Sequence, residues 1–479
     1  MLNKKFFTIV IASVALIAQA QPSLEIVGGT RPTTSSVTRI VGKTDPAATA
    51  TVNGVAAKVY ATGCFGAEVA LNQGDNVITV ESTQGGKTTT KTVTVVRQEK
   101  AEKAPAEAAP VMRDVMFNVT TLPGAFLQYG NGTDRLGGSK MGYIDEGIAL
   151  KVVGDYANLY KVQLSANRFA YIQKEYVKMD DVDVKTVNSS SISYSNQGKS
   201  DRVSISLPCK LPYYSWTQLD PTTICVEIFG AMCNSNWISQ HGELGMVDYV
   251  DFRQVDSDVF QVVIKLKKKY AWGYDVYYRG NSLTVDVKHT PTSLALKDLT
   301  IGIDAGHGGE YPGAIGHSGL DEKTINLQLV MLVKGMLEAK GAKVVLSRSE
   351  DVDVAMSKRK QIFKEAGVDL AFAIHNNSGG SPLVDMGSST YYKHIVNREL
   401  AAVMLKHLVA AGHKDAGLTG NFNFSLNMPT EYPNCLLEVL FMSSLPDEEK
   451  LCNPAHCKKI AAEVVAGLEE YLLKVKAEK

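Results

Sequence analysis

Two imidazoles and two carboxylates, His307, Glu322, His375 and Glu438, stand in four short motifs that read as strand ends or turns. His307 ends the run Ile301-Gly302-Ile303-Asp304-Ala305-Gly306, with Gly308-Gly309 after it. An apolar strand there opens into a glycine loop whose backbone can approach a ligand closely. Glu322, beside Lys323, stands just before a helix. His375 closes the apolar run Ala371-Phe372-Ala373-Ile374 and is followed by Asn376-Asn377. Glu438 is embedded in Cys435-Leu436-Leu437-Glu438-Val439-Leu440-Phe441, where a bare carboxylate is costly to bury and so implies a partner. A catalytic zinc centre draws three protein ligands from His and Glu and leaves a position open for water or substrate, and these four residues could furnish one. Taken singly, each has an ordinary reading: a hydrogen-bonded histidine after a strand, or a helix-start acid stabilised by the dipole. Their joint occurrence points to a zinc hydrolase site.

The elements that must position them alternate between strand and helix. Ile325, Leu329, Leu332, Val333, Met336 and Leu337 fall at helical spacing, Gly341 stops that helix, and Ala342 to Leu346 follows as a buried strand. The pattern then predicts a helix over 356–366, strands over 368–374 and 388–392, a helix over 398–411, a strand over 435–441 and a final helix over 454–475. This alternation predicts a mostly parallel sheet with helices on both faces, an α/β domain over 296–479. Sites in such sheets form at the carboxyl ends of strands, where His307 and His375 stand.

The stretch from about Leu299 onward resembles the zinc-dependent N-acetylmuramoyl-L-alanine amidases of the bacterial cell wall, the amidase type 3 family. The resemblance rests on five motifs in order: IDAGHGGEYPGAIG, LDEKTINL, AKVVLSRSEDVDV, DLAFAIHNNS and NCLLEVLFMSS. It implies Zn2+ held by His307, Glu322 and His375, and Glu438 as general base for cutting the amide between N-acetylmuramic acid and L-alanine. Zinc lowers the pKa of bound water towards about 7, and a base in an apolar setting suits the proton transfer. The alternative for Glu438 is a structural ion pair with Arg348 or Arg359. Asp304 and Asn377 are candidates to orient the imidazoles. His317 is a candidate for substrate contact, and His394, His407 and His413 read as bystanders.

Two departures from the family pattern stand out. Where the family has Gly-Phe and then Ser-Asn after the base, this chain has Leu440-Phe441-Met442-Ser443-Ser444, which implies a bulkier wall. Where partner-regulated members carry a long helical insertion, only a short loop over 378–389 is present, so no built-in blocking helix of that kind is expected. The alternatives to the amidase reading are a zinc peptidase acting inside the stem peptide and a wall-binding protein without activity.

Length bounds the rest. At 479 residues the chain exceeds one ordinary core, and about 150 residues per domain implies several modules. Residues 1–20 carry Lys4-Lys5, an apolar run from Phe6 to Ile17 and Ala18-Gln19-Ala20, the pattern of a secretory signal peptide. The run is shorter than the roughly 20 residues that span a bilayer, so no transmembrane anchor is expected after cleavage, and the location implied is periplasmic or secreted. Lysine plus arginine equal aspartate plus glutamate at 50 each, a balance that does not favour nucleic acid; peptidoglycan is the expected partner, and an activator protein is left open.

Three all-β modules precede the α/β domain. Residues 21–97 alternate polar with β-branched residues around an Asn53-Gly54 turn and resemble an Ig-like β-sandwich. Residues 98–111 are an Ala/Pro-rich charged linker. Residues 112–180 resemble an SH3-like barrel, and 185–290 a β-sandwich of the wall-binding kind. Seven scattered cysteines leave one disulfide among Cys209, Cys225 and Cys233 as an expectation, and Cys452 to Cys457 reads as a loop into the last helix rather than a metal knuckle.

Overall fold

The computed structural model describes residues 21–100, 110–134, 136–220 and 222–478. The signal-peptide reading of residues 1–20 and most of the linker reading lie outside them. The chain divides into two compact units, Met1–Ala101 and Glu102–Lys479.

The first unit stacks two antiparallel sheets. One has three strands (Leu24–Gly28, Val37–Thr44, Cys64–Ala70), the other four (Val55–Ala57, Thr49–Val52, Gly74–Gln84, Lys87–Arg97). Alternation puts Ile40, Val52, Phe65, Ile78, Val80 and Val95 into the core between them. Asn53, at φ 48°, and Gly54, at φ 75°, make the left-handed turn that their residue types announced.

The second unit begins with a seven-stranded antiparallel sheet from Arg113–Thr121 to Val177–Met179. A two-sheet module of five and four main strands follows, ending at Ser282–Lys288. These two modules share one continuous core, in which Val119, Leu150 and Ile172 of the first join Ile205, Val226 and Val285 of the second. Cys209, Cys225 and Cys233 form no bridge with one another, so the expected disulfide is absent: Cys209 is exposed and Cys225 buried.

The C-terminal part is α/β. Its elements are β1 (Thr300–Ala305), α1 (Glu322–Ala339), β2 (Lys343–Leu346), α2 (Met356–Ala366), β3 (Leu370–Asn377), β4 (Ser388–Tyr391), α3 (Arg398–Ala410), β5 (Asp415–Thr419), β6 (Asn434–Phe441), α4 (Leu445–Leu451) and α5 (Pro454–Ala477). The sheet order is β2-β1-β3-β6-β4-β5. All pairings are parallel except β4 with β6. Edge strand β5 and the short α4 go beyond the sequence reading.

Strand periodicity sorts the two faces. Ile301, Ile303, Phe372, Ile374, Leu437 and Val439 point into the large core shared with α1, α3 and α5. The alternate residues point the other way: Gly302 packs on Phe363 of α2, and Ala373 and Leu436 form a small cluster with Leu426. Burying each large aliphatic side chain contributes roughly 1.5–3 kcal/mol. The three-helix face therefore anchors the sheet and leaves the α2 face only partly covered. Leu440 and Met442 are fully buried, and Met442 joins the large core, so the departure from the family pattern is absorbed in packing rather than in a bulkier cleft wall. No helix is assigned between β3 and β4.

At the start of α5, Asn453 accepts hydrogen bonds from the N–H groups of Ala455 and His456, and Pro454 occupies the first turn. The Cys452 to Cys457 segment is thus a helix cap.

Candidate metal centre

His307 sits just beyond the carboxyl end of β1 at φ 61°, a left-handed conformation uncommon for a residue with a side chain and held in place here by its surroundings. The holding group is Arg359. Its guanidinium donates to the carbonyls of Ala305 and His307 at 2.8 Å each and pairs with Asp304 Oδ1 at 2.8 Å. Arg348 and Asn326 both donate to the Gly306 carbonyl. The glycine beside the histidine is required, because a Cβ on Gly306 would lie 2.4 Å from the His375 ring.

Glu322 opens α1, with its backbone N–H donating to Ala314 O. Its Oε1 faces His307 Nε2 at 3.1 Å and His375 Nδ1 at 3.0 Å and also accepts from Asn376 N, while Oε2 accepts from Ala314 N at 2.8 Å. Burial opposes charge on Glu322, but the two imidazoles outweigh it and hold the carboxyl well below the usual range. Burial likewise opposes charge on His375, and the Glu322 hydrogen bond with the charges of Glu438, Glu322 and Asp304 reverses that effect and raises it. The rings of His307 and His375 meet edge to face at 4.9 Å.

One ligand atom from each of His307, Glu322 and His375 lies within 4.8 Å of the others. Two imidazole nitrogens and an ionised carboxylate are a donor set that suits zinc. His375 Nε2 is buried without a hydrogen-bond partner, so the Nδ1 face is the one that the fold has engaged.

Glu438 pairs in register with His375 across β6 and β3. Residues opposite one another on neighbouring strands project to the same face, here the partly covered one. The two arginines named above as alternative partners for Glu438 also hold other groups: Arg359 those just described, and Arg348 the carbonyls of Ala305, Gly306, Lys323 and Glu350.

The other residues singled out in the sequence have these partners. Asp304 serves Arg359 rather than an imidazole, and Asn377 reaches Tyr391 Oη at 3.5 Å. His317 is tied to the Ser443 carbonyl at 3.1 Å. His394 bonds the Met428 carbonyl, His407 two glutamates, and His413 Ser388 and His456. Arg359 was expected only as an alternative ion partner for Glu438; its hold on the His307 backbone was not anticipated, because Lys358-Arg359-Lys360 looks like a solvated run. Its i, i+4 spacing to Phe363 was the available signal, since those two are the buried face of α2.

Residues 301–470 match the family model described as N-acetylmuramoyl-L-alanine amidase, and residues 30–99 the model described as glucodextranase, domain B. The uncharacterized protein YqiI of Bacillus subtilis (strain 168) is 34% identical over 37% of this chain and 86% of its own length. The sporulation-specific N-acetylmuramoyl-L-alanine amidase of the same organism is 32% identical over 36% of this chain and 68% of its own. N-acetylmuramoyl-L-alanine amidase LytC, also from that organism, is 34% identical over 36% of this chain, which spans only 35% of LytC. The chain belongs to the N-acetylmuramoyl-L-alanine amidase family.

Proposed function

We propose that the chain is a secreted or envelope-associated hydrolase of peptidoglycan that cuts the amide joining the lactyl group of N-acetylmuramic acid to L-alanine. The observation that carries this reading is the convergence of His307 Nε2, Glu322 Oε1 and His375 Nδ1 on the open face of the sheet, with Glu438 in register beside them. Family membership supplies the bond class.

His307, Glu322 and His375 would hold a zinc ion, which when bound polarises an amide carbonyl and makes water acidic enough to attack near neutral pH. Glu438 accepts the proton from the attacking water and returns it to the departing alanyl nitrogen, so that a neutral amine leaves. Arg359 fixes the His307 backbone, and the Ala314 and Asn376 N–H groups fix the Glu322 carboxylate, so neither ligand has to be reorganised during turnover. A general base of this kind contributes typically ~10²–10⁴-fold in rate. The regions ahead of the α/β part act as Ig-like, SH3-like and wall-binding-like modules that localise the enzyme, and residues 1–20 direct export.

Mass spectrometry of products from purified murein tests the reading. Stem peptides with a free L-alanine amino terminus and peptide-free glycan are expected. Fragments cut inside the stem peptide would make the chain a peptidase instead, and an unaltered polymer would leave it a binding protein.

A further inference from the structure

The seven-stranded module touches the wall of the metal centre. Between β5 and β6 the chain passes through Asn421, Phe422, Asn423 and Phe424, without regular structure and with Asn421 at φ 53°. The ring of Phe424 meets His375 edge on at 5.5 Å, and Phe422 lies 4.5 Å from Tyr391. Asn423, between these two rings, has a side chain committed to a segment about 285 residues earlier. Its Nδ2 donates to Gly138 O at 2.7 Å and Leu136 O at 3.3 Å, and its Oδ1 accepts from Lys140 N at 3.2 Å. Lys393 adds a second tie, donating to Lys140 O at 3.0 Å and Asn421 Oδ1 at 2.7 Å.

The loop backbone is tied by Phe422 N–H to Tyr392 O and by Asn427 N–H to Phe424 O, and the stretch between, following a left-handed asparagine, takes its remaining shape from whatever holds its side chains. Here that support is the connection between strands Phe126–Gln128 and Lys140–Tyr143 of the seven-stranded module. One primary amide satisfies two carbonyls and one N–H there, so the geometry is directional and sensitive to a change of a single atom.

We propose that Asn423 is a positioning residue through which the seven-stranded module sets Phe422 and Phe424 as one wall of the substrate cleft. The proposal rests on the amidase reading above and adds that this module is part of the active site's architecture as well as a tether. Because the Phe424 ring packs on His375 without taking its place, and Phe422 stands behind it against Tyr391, loosening the wall weakens substrate binding and leaves the metal and the base in place.

The test uses the full chain, loaded with zinc, on soluble disaccharide-tripeptide fragments of murein. Asn423→Ala is expected to raise KM about tenfold with kcat changed by less than about twofold. Bound zinc and the thermal midpoint should match the parent. Asn423→Asp keeps the acceptor for Lys140 N–H but turns a carboxylate oxygen toward the Gly138 and Leu136 carbonyls, so it should do no better than alanine. An active parent with unchanged KM in both variants overturns the proposal, as does a loss confined to kcat that tracks a lowered thermal midpoint. A parent that releases no amine from these fragments overturns the amidase reading itself, and the proposal with it.

Discussion

His375 and Glu438 are Cα partners on adjacent parallel strands, so the pleat sends an imidazole of the His307–Glu322–His375 cluster and the acid beside it to the same side of the sheet. Their separation is set by strand spacing rather than by a loop, which makes the length of the acid side chain decisive. Glu438→Asp, one methylene shorter, should lower kcat by roughly 10²-fold or more while zinc content stays at the parent level. Rates of amine release from murein alongside metal analysis check this; a variant within a few-fold of the parent would remove Glu438 from the proton transfer.

Metal should also stabilise the fold. An ion that binds only the folded chain adds about 2.7 kcal/mol at a hundredfold excess over its Kd. Stripping with chelator is therefore expected to lower the thermal midpoint, and zinc should restore it. Glu322→Gln, which removes the charge facing both imidazoles, should abolish most of that restoration.

Arg359 and Asp304 are both almost wholly buried, and breaking such a pair leaves an uncompensated charge inside the protein. Arg359→Met should cost about 3–5 kcal/mol in chemical denaturation and weaken zinc binding, because the His307 carbonyl loses its donor.

His413 predicts an acid limb. The Ser388 hydroxyl gives its proton to Val439 O at 2.6 Å, so His413 Nδ1–H donates to Ser388, and His413 Nε2 accepts from His456 at 2.9 Å. Burial, then the nearby His456, Lys450 and Lys459, push His413 down to about 3 against the pull of Asp385, and His456 is lowered as well. The unfolded chain therefore binds more protons than the folded one between about pH 6.5 and 3, and stability falls as pH drops through that window. His413→Gln should flatten the slope of the urea midpoint against pH over 7 to 4; an unchanged slope would show that other groups set it.

How much of this was legible in the sequence depends on the range of each interaction. Periodicity placed α1, α2, α3, α5 and the buried strands, because 3.6-residue and 2-residue patterns are local. His307, Glu322, His375 and Glu438 stood out because imidazoles and carboxylates at strand ends conflict with apolar surroundings. The tie of Asn423 to Gly138, the shared core of the two β modules and the engagement of Arg359 by Asp304 are distant pairings, and an isolated Asn or Arg carries no trace of its partner. Edge strand β5 (Asp415–Thr419) escaped because its mixed, half-exposed residues lack a strong alternation.

The central claim is that three converging side chains hold one ion that the hydrolysis needs. The most direct measurement is a zinc titration of the chelator-stripped full chain, following bound metal and new amine from murein in the same samples. Both should rise together and saturate at about one equivalent, and neither should rise in Glu322→Ala. Stripped protein as active as the loaded form, or stoichiometric binding that survives Glu322→Ala, would contradict the account.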